Sequence, residues 1–121
     1  LAAVALMRKN KSFIFFKINK NAGPIGAQGV VLTPQRSMAV DRAYYPMGLP
    51  IWLDTTLPGT REKLRRLVVT QDTGSAIKGP VRGDFFWGNG RQAGINAGLM
   101  KERGEMYLLL PKSASRQLLA R

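Results

Sequence analysis

The sequence predicts a mainly β domain, a small β-barrel with one or two short helices. Short runs of apolar and β-branched residues alternate with turn signals rich in Gly, Pro and Asn, at intervals of about eight to twelve residues. Apolar residues at helical spacing occur only near the start of the chain and in its last third. With 121 residues, the chain has room for one domain with its own core.

Each element is predicted from a short apolar run and the signal that ends it. Leu1 to Asn10 has apolar residues ahead of a basic end, which is typical of the last turns of a helix. The predicted strands are, in chain order, Ser12 to Ile18, Val30 to Leu32, Met38 to Asp41, Leu49 to Thr55, Leu64 to Thr70 and Met106 to Leu110. Further helices are predicted at Arg91 to Arg103, with Gly104 as the C-cap, and at Ser113 to Arg121.

The composition limits the chemistry that this domain can perform. The chain contains neither cysteine nor histidine. It therefore offers no disulfide, no zinc site of the usual kind and no Ser-His or Cys-His nucleophile. Proton transfer is left to Asp, Glu, Lys and Tyr. We expect neither a cofactor nor a metal.

The charge is strongly basic and unevenly distributed. Nineteen Lys and Arg against seven Asp and Glu give a net charge of +12, and no acidic residue precedes Asp41. A field of this sign favours polyanions. The basic residues are scattered, however, and most aromatic residues lie in apolar runs rather than alternating with Lys or Arg. This pattern favours an anionic polymer or surface other than nucleic acid.

The segment from Gln71 to Gly88 carries two of the four aspartates at the ends of a glycine-rich loop. Asp72 leaves an apolar run, and Asp84 precedes the aromatic run that starts at Phe85. Apolar neighbours favour a protonated carboxyl, which acid catalysis needs. The alternative is turn chemistry, in which Asp72 forms an Asx-type hydrogen bond and Asp84 connects two strands.

Two further aspartate patterns leave alternatives open. Asp41 also lies between an apolar run and a loop, where a structural salt bridge or cap is the favoured explanation of Asp41 taken alone. Asp72-Thr73-Gly74 after a hydrophobic strand is a signature of aspartic proteases, in which two carboxylates share one proton. A chain of this length would supply the second carboxylate only as a homodimer.

Four segments in combination resemble the three-aspartate domain of the membrane-bound lytic murein transglycosylase A family. They are Ala39 to Asp41, Tyr45 to Leu53, Gln71 to Gly79 and Gly83 to Gly88, within a likeness that extends from about Phe13 to Leu110. The resemblance implies a six-stranded double-psi β-barrel that is incomplete without upstream residues. It also implies that residues 1–28 end an inserted domain and return to the barrel, which residues 29–121 form.

The resemblance implies an activity as well. Members of this family cleave the β-1,4 bond between N-acetylmuramic acid and N-acetylglucosamine in peptidoglycan and leave a 1,6-anhydro sugar. The implied catalytic residues are Asp84, as acid and then base, and Asp72 in support. The implied substrate contacts are Asp41, Gln71, Lys78 and Phe86. The functional alternatives are a non-catalytic barrel that binds murein or another polyanion, and a dimeric aspartic protease.

The same resemblance implies partners and a location. The partners are peptidoglycan glycan strands and the upstream part of the same protein, in this chain or in a separate one, but not nucleic acid. The location is the periplasmic face of the outer membrane, reached through a lipid anchor outside this chain. Because the chain starts at Leu1 rather than at a methionine, we expect the natural protein to be longer.

Overall fold

The computed structural model describes residues 2–11, 18–20 and 22–119, which form a curled five-stranded sheet with three short helices. The elements are, in chain order, α1 (Ala2–Met7), β1 (Ser37–Val40), β2 (Pro50–Thr56), β3 (Lys63–Asp72), β4 (Gly83–Phe85), α2 (Arg91–Leu99), β5 (Glu105–Leu108) and α3 (Lys112–Leu119). The prediction of a mainly β fold is confirmed. The described residues supply five strands, arranged as a half-barrel, which fits the implied six-stranded barrel being incomplete without upstream residues.

The strand order in the sheet is β4-β1-β3-β2-β5. Strand β1 is parallel to β3 on one side and antiparallel to β4 on the other, whereas β2 is antiparallel to both β3 and β5. The carboxyl ends of β1 and β3 therefore lie at the same edge of the sheet. Asp41, which follows β1, and Asp72, which ends β3, leave the sheet at this edge.

The core lies on one face of β2 and β3, whose residues alternate between buried and more exposed. The fully buried side chains of this core include Ile51, Leu64, Val68 and Val40. Phe85 and Trp87 extend it to β4 and to the chain beyond this strand. The core therefore holds the short strands β1 and β4 in place. No helix in the described part of the chain is long and apolar enough to cross a membrane.

Two predicted features differ from the structure. The predicted strand from Val30 to Leu32 is a loop, in which Val31 forms only an isolated bridge to Ile25. The predicted helix from Arg91 ends at Leu99 instead of Arg103, and Met100 caps it by donating its N–H to carbonyls of the last turn.

Two further predictions concern the ends of elements. Gly104 is not the C-cap of α2. It packs against β2, where a Cβ atom would meet Thr55 Cβ at 2.7 Å and the backbone oxygen of Asp54 at 2.8 Å. The predicted strand from Ser12 to Ile18 lies almost entirely outside the described residues.

Candidate active site

Asp72 and Asp84 lie on either side of Ala39 in the sheet. Ala39 pairs with Asp72 in the parallel ladder of β1 and β3, and with Asp84 in the antiparallel ladder of β1 and β4. Residues paired across neighbouring strands project from the same face. Since Ala39 lies between them, the two aspartates are two strands apart in the sheet, and neighbouring strands are spaced by about 4.8 Å. The small side chain of Ala39 leaves the space between the two carboxylates open.

Both aspartates line one cavity of about 270 Å³. Asp84 is exposed, and Asp72 is half-buried. Three aromatic residues that follow one another, Phe85, Phe86 and Trp87, contribute to the wall near Asp84. On the side of helix α2, the lining consists of the small residues Ala93, Gly94 and Ala97. The cavity thus combines two carboxyl groups with largely apolar walls, which is the composition expected of a small-molecule or polymer site.

A loop from outside the sheet holds the side chain of Asp72. The backbone N–H of Ala27 donates to Asp72 Oδ1 at 2.9 Å. The next residue, Gln28, donates its N–H to the backbone oxygen of Gln71 at 3.0 Å. Gly26 is packed so closely here that a Cβ atom would lie 2.3 Å from the same oxygen. Only glycine therefore lets this loop approach the end of β3.

The backbone that carries Asp84 is held on its C-terminal side. Phe86 donates its N–H to the backbone oxygen of Ser37 at 3.0 Å, and its own oxygen accepts from the N–H of Gln35 at 2.7 Å. The rings of Phe85 and Trp87 meet edge to face, with centroids 4.9 Å apart. These contacts fix the three-residue strand β4, whose one strand partner in the described part of the chain is β1.

Gln71 is oriented by a buried serine. The hydroxyl of Ser37 accepts the N–H of Thr33 at 2.8 Å and donates to Gln71 Oε1 at 2.6 Å. Because Ser37 is a donor in the second bond, the amide of Gln71 must present its oxygen to Ser37. The NH₂ group of Gln71, which directly precedes Asp72, is therefore directed away from Ser37.

Asp41 and Lys78 line a second depression, also of about 270 Å³. The two carboxylate oxygens of Asp41 accept the backbone N–H of Gly79 at 2.9 Å and that of Ala43 at 3.1 Å. These two donors hold the pKa of Asp41 below its ordinary value; burial opposes them, and the charge of Lys78 adds a smaller contribution in the same direction.

The structure therefore divides the sequence-predicted site residues into two groups. Asp72, Asp84 and Phe86 share one cavity, whereas Asp41 and Lys78 share another, and Gln71 lies at the end of β3 next to Asp72. Within the described ranges, no group of three or more His, Cys, Asp or Glu side chains is placed to hold a metal ion.

Several residues of the site were not found by sequence analysis. Ala39 and Ala27 contribute a small side chain and a backbone donor, neither of which gives a local sequence signal. The small residues of α2, in contrast, do have a local sequence signal, because Ala93, Gly94 and Ala97 recur at helical spacing in the predicted helix. A stripe of small residues on a helix permits close approach, and here it borders the cavity.

Comparison with known proteins identifies the family. Residues 36–110, which include Asp41, Asp72 and Asp84, match the 3D domain family. This chain belongs to the 3D domain family. The membrane-bound lytic murein transglycosylase A of Vibrio cholerae is 38% identical over 109 residues, which are 86% of this chain and 29% of the Vibrio protein.

Solved structures of lytic transglycosylases are also similar to this chain. MltA from Neisseria gonorrhoeae matches with a TM-score of 0.80 and 46% identity, over 88% of this chain and 28% of that one. The lytic transglycosylase LtgG of Burkholderia pseudomallei matches with a TM-score of 0.75 and 52% identity, over 91% and 34%. Escherichia coli MltA with bound chitohexaose matches with a TM-score of 0.79 and 33% identity, over 90% and 34%. The chain therefore spans about a third of the length of these relatives.

Proposed function

We propose that this domain carries the catalytic carboxyl groups of a peptidoglycan lytic transglycosylase. The reaction would cleave the β-1,4 bond between N-acetylmuramic acid and N-acetylglucosamine and leave a 1,6-anhydromuramic acid end. The observation that carries the proposal is the pairing of Asp72 and Asp84 with the same residue, Ala39, because it puts two carboxyl groups on opposite sides of one cavity. The names of the relatives support it, as does the chitohexaose bound to the E. coli relative, since chitohexaose is a β-1,4-linked N-acetylglucosamine oligomer.

In the proposed mechanism, Asp84 acts first as an acid and then as a base. Its carboxyl donates a proton to the glycosidic oxygen while the bond from C1 to that oxygen breaks. The C6 hydroxyl of the same muramic acid attacks C1, and the Asp84 carboxylate takes up the hydroxyl proton. The new C1–O6 bond replaces the old glycosidic bond, no water is consumed, and Asp84 regains its proton.

Intramolecular attack explains how one acid-base group can suffice. Most glycoside hydrolases need two carboxyl groups, one of which is the nucleophile or activates water. A tethered and well-oriented nucleophile can contribute roughly 7 to 11 kcal/mol to lowering the barrier. The C6 hydroxyl is such a nucleophile, because the substrate itself carries it.

We assign the supporting role to Asp72. Its Oδ1 is already engaged by the N–H of Ala27, which fixes the carboxylate on the far side of Ala39 from Asp84. A fixed negative charge at this position would stabilise the positive charge that develops on the sugar ring in an oxocarbenium-like transition state. Asp84 is exposed at the cavity and has freer access to a leaving oxygen.

The proposed substrate contacts differ in their position. Phe86 lines the cavity beside both aspartates, and its ring would pack against a sugar. Gln71 offers an oriented NH₂ group next to Asp72. Lys78 borders the second depression, where its exposed ammonium group would attract the carboxylates of an anionic cell-wall polymer, in keeping with the net charge of +12.

The organisation of the whole protein is part of the same proposal. We propose that residues 1–28 end an inserted domain, that the barrel begins at residue 29, and that upstream chain completes the substrate groove. The protein would act at the periplasmic face of the outer membrane. The relatives support this proposal through their names, which describe them as membrane-bound, and through their greater length.

The test uses the full-length protein and purified murein. The parent protein should release anhydro-muropeptides, and Asp84→Asn should lower the rate by at least about a hundredfold, the scale of acid-base catalysis. Asp54→Asn is a matched control, since Asp54 lies on the outer face of β2 and is paired with Lys63 and Arg65. Equal turnover by Asp84→Asn and the parent would refute the assignment. Murein binding by the parent without product would instead favour a non-catalytic barrel.

A further inference from the structure

We propose that Asp41 and Tyr45 are positioning residues that anchor the loop between Asp72 and Asp84. This connecting loop, residues 73–82, runs from the end of β3 to β4. Its two ends therefore carry the two carboxyl groups of the cavity. The inference rests on the proposed function for its effect on catalysis, but the anchoring itself is a property of the fold.

Two consecutive residues of the connecting loop are held by two side chains. Asp41 Oδ2 accepts the N–H of Gly79 at 2.9 Å. The hydroxyl of Tyr45 donates to the backbone oxygen of Pro80. Gly79 has a φ of +94°, a conformation that side-chain-bearing residues rarely adopt. Glycine at this position therefore lets the loop turn so that Gly79 and Pro80 both reach their hydrogen-bond partners.

The two anchoring side chains are themselves fixed. Asp41 and Tyr45 are each only 9% exposed. The Oδ1 atom of Asp41 accepts the N–H of Ala43 at 3.1 Å, and its backbone oxygen accepts the N–H of Tyr45 at 3.1 Å. Both carboxylate oxygens of Asp41 thus accept backbone donors, which suits an anchor better than a sugar ligand.

The anchoring matters because β4 is a weak strand by itself. It has three residues and, among the strands that the structure describes, it lies at the edge of the sheet and pairs only with β1. After β4, the chain is held by the hydrogen bonds of Phe86 with Ser37 and Gln35. Before β4, the chain is held by the hydrogen bonds of Gly79 with Asp41 and of Pro80 with Tyr45. Asp84 lies between these two anchored segments, so releasing the first should move its carboxyl relative to Asp72.

The experiment compares Asp41→Asn and Tyr45→Phe in the full-length protein. We expect kcat for murein to fall roughly tenfold to a hundredfold, because small misplacements of a catalytic group cost this much. KM should change little, since neither side chain is placed in the cavity of Asp72 and Asp84. Hydrogen exchange at the Gly79 N–H should become faster in both variants, while exchange in the buried part of β3 stays at the parent rate.

Tyr44→Phe is the matched control, because Tyr44 is the neighbouring tyrosine but is 57% exposed. It should leave kcat and Gly79 exchange unchanged. Unchanged Gly79 exchange in both Asp41→Asn and Tyr45→Phe would overturn the proposal whatever the activity. An increase in KM without a loss of kcat would overturn it in favour of a direct sugar contact by Asp41. Faster Gly79 exchange in a protein whose parent form releases no anhydro-muropeptides would support the anchoring and refute the proposed function.

Discussion

The backbone N–H of Ala27 donates to Asp72 Oδ1 over 2.9 Å, although the two residues are 45 positions apart in the sequence. This bond forms because the loop around Ala27 lies directly on the end of β3. Gln28 adds a second bond, from its N–H to the backbone oxygen of Gln71. A carboxyl group at the cavity is therefore positioned by a segment that belongs to no strand of the sheet.

Gly26→Ala should disturb this arrangement. The new Cβ atom would lie 2.3 Å from the backbone oxygen of Gln71 and 2.6 Å from Leu32 Cδ2, so the loop must shift away from β3. We expect a loss of about 1 to 3 kcal/mol in the free energy of unfolding, as for other overpacked sites. Turnover should fall as well, because Ala27 moves with the loop. Urea unfolding and murein digestion of the full-length protein measure the two effects.

Gly98→Ala is the control for this prediction. Gly98 lies in α2, where an added Cβ atom meets nothing within 4 Å. Alanine is the better helix former, so stability should be unchanged or slightly higher. Equal stability of Gly26→Ala and Gly98→Ala would show that the loop around Ala27 does not pack closely against β3.

Ala39→Val should lower the activity of the protein and leave its stability almost unchanged. Valine is favoured in strands, so the unfolding free energy should change little at this half-buried position. The two added methyl groups would, however, occupy the space between Asp72 and Asp84. We expect kcat/KM for murein to fall by roughly tenfold or more, because the substrate no longer lies in the reactive orientation. Ala39→Ser, which adds only one atom, should keep most of the activity, and full activity of Ala39→Val would place the sugar elsewhere.

The sequence predicted those elements whose signals are local. Strands β2 and β3 were predicted within two residues of each end, because each contains a short apolar run between turn or polar signals. Strand β4 was not predicted, since Gly83–Phe85 is too short to show alternation and its strand character depends on pairing with β1. Gly104 was assigned to a helix end for its local context, whereas its contact is with Thr55, far away in the sequence.

For the candidate site, too, the sequence predicts only those features that have a local signal. Asp72 and Asp84 were candidates from the sequence because each lies at the end of an apolar or aromatic run. Their separation could not be predicted, since it depends on the parallel register of β1 and β3 and on the irregularity between Met38 and Ala39. The hydrogen bond from the backbone N–H of Ala27 to Asp72 could not be predicted either, because a backbone N–H is present at almost every position.

The contribution of Asp41 to stability should depend on pH. Its pKa is held below the ordinary value by the N–H groups of Gly79 and Ala43, with a smaller contribution from Lys78. A carboxyl whose pKa is lowered by folding stabilises the folded state fully at pH values above its unfolded pKa of about 3.9. This stabilisation is lost as the pH falls through the lower pKa of the folded state. The difference in unfolding free energy between the parent and Asp41→Asn should therefore be constant near neutral pH and shrink below about pH 4.

Asp54 provides the comparison for Asp41. Its pKa is also lowered, but by side-chain bonds from Lys63 at 2.8 Å and Arg65 at 2.9 Å on the outer face of the sheet. Added salt screens such exposed pairs, so the effect of Asp54→Asn on stability should shrink as salt is raised. The effect of Asp41→Asn should persist, because its donors are backbone N–H groups. An equal response of both variants to salt would contradict this distinction.

Ser37→Ala should weaken both the fold and substrate binding. The substitution removes the buried hydroxyl that accepts the N–H of Thr33, and an intramolecular hydrogen bond contributes about 0.5 to 1.5 kcal/mol to stability. It also frees the side-chain amide of Gln71 to rotate, since Ser37 is the donor that fixes Gln71 Oε1. If Gln71 contacts the sugar through its NH₂ group, KM for murein should rise while kcat changes less. A loss of stability without any change in KM would assign the pair of Ser37 and Gln71 to the fold alone.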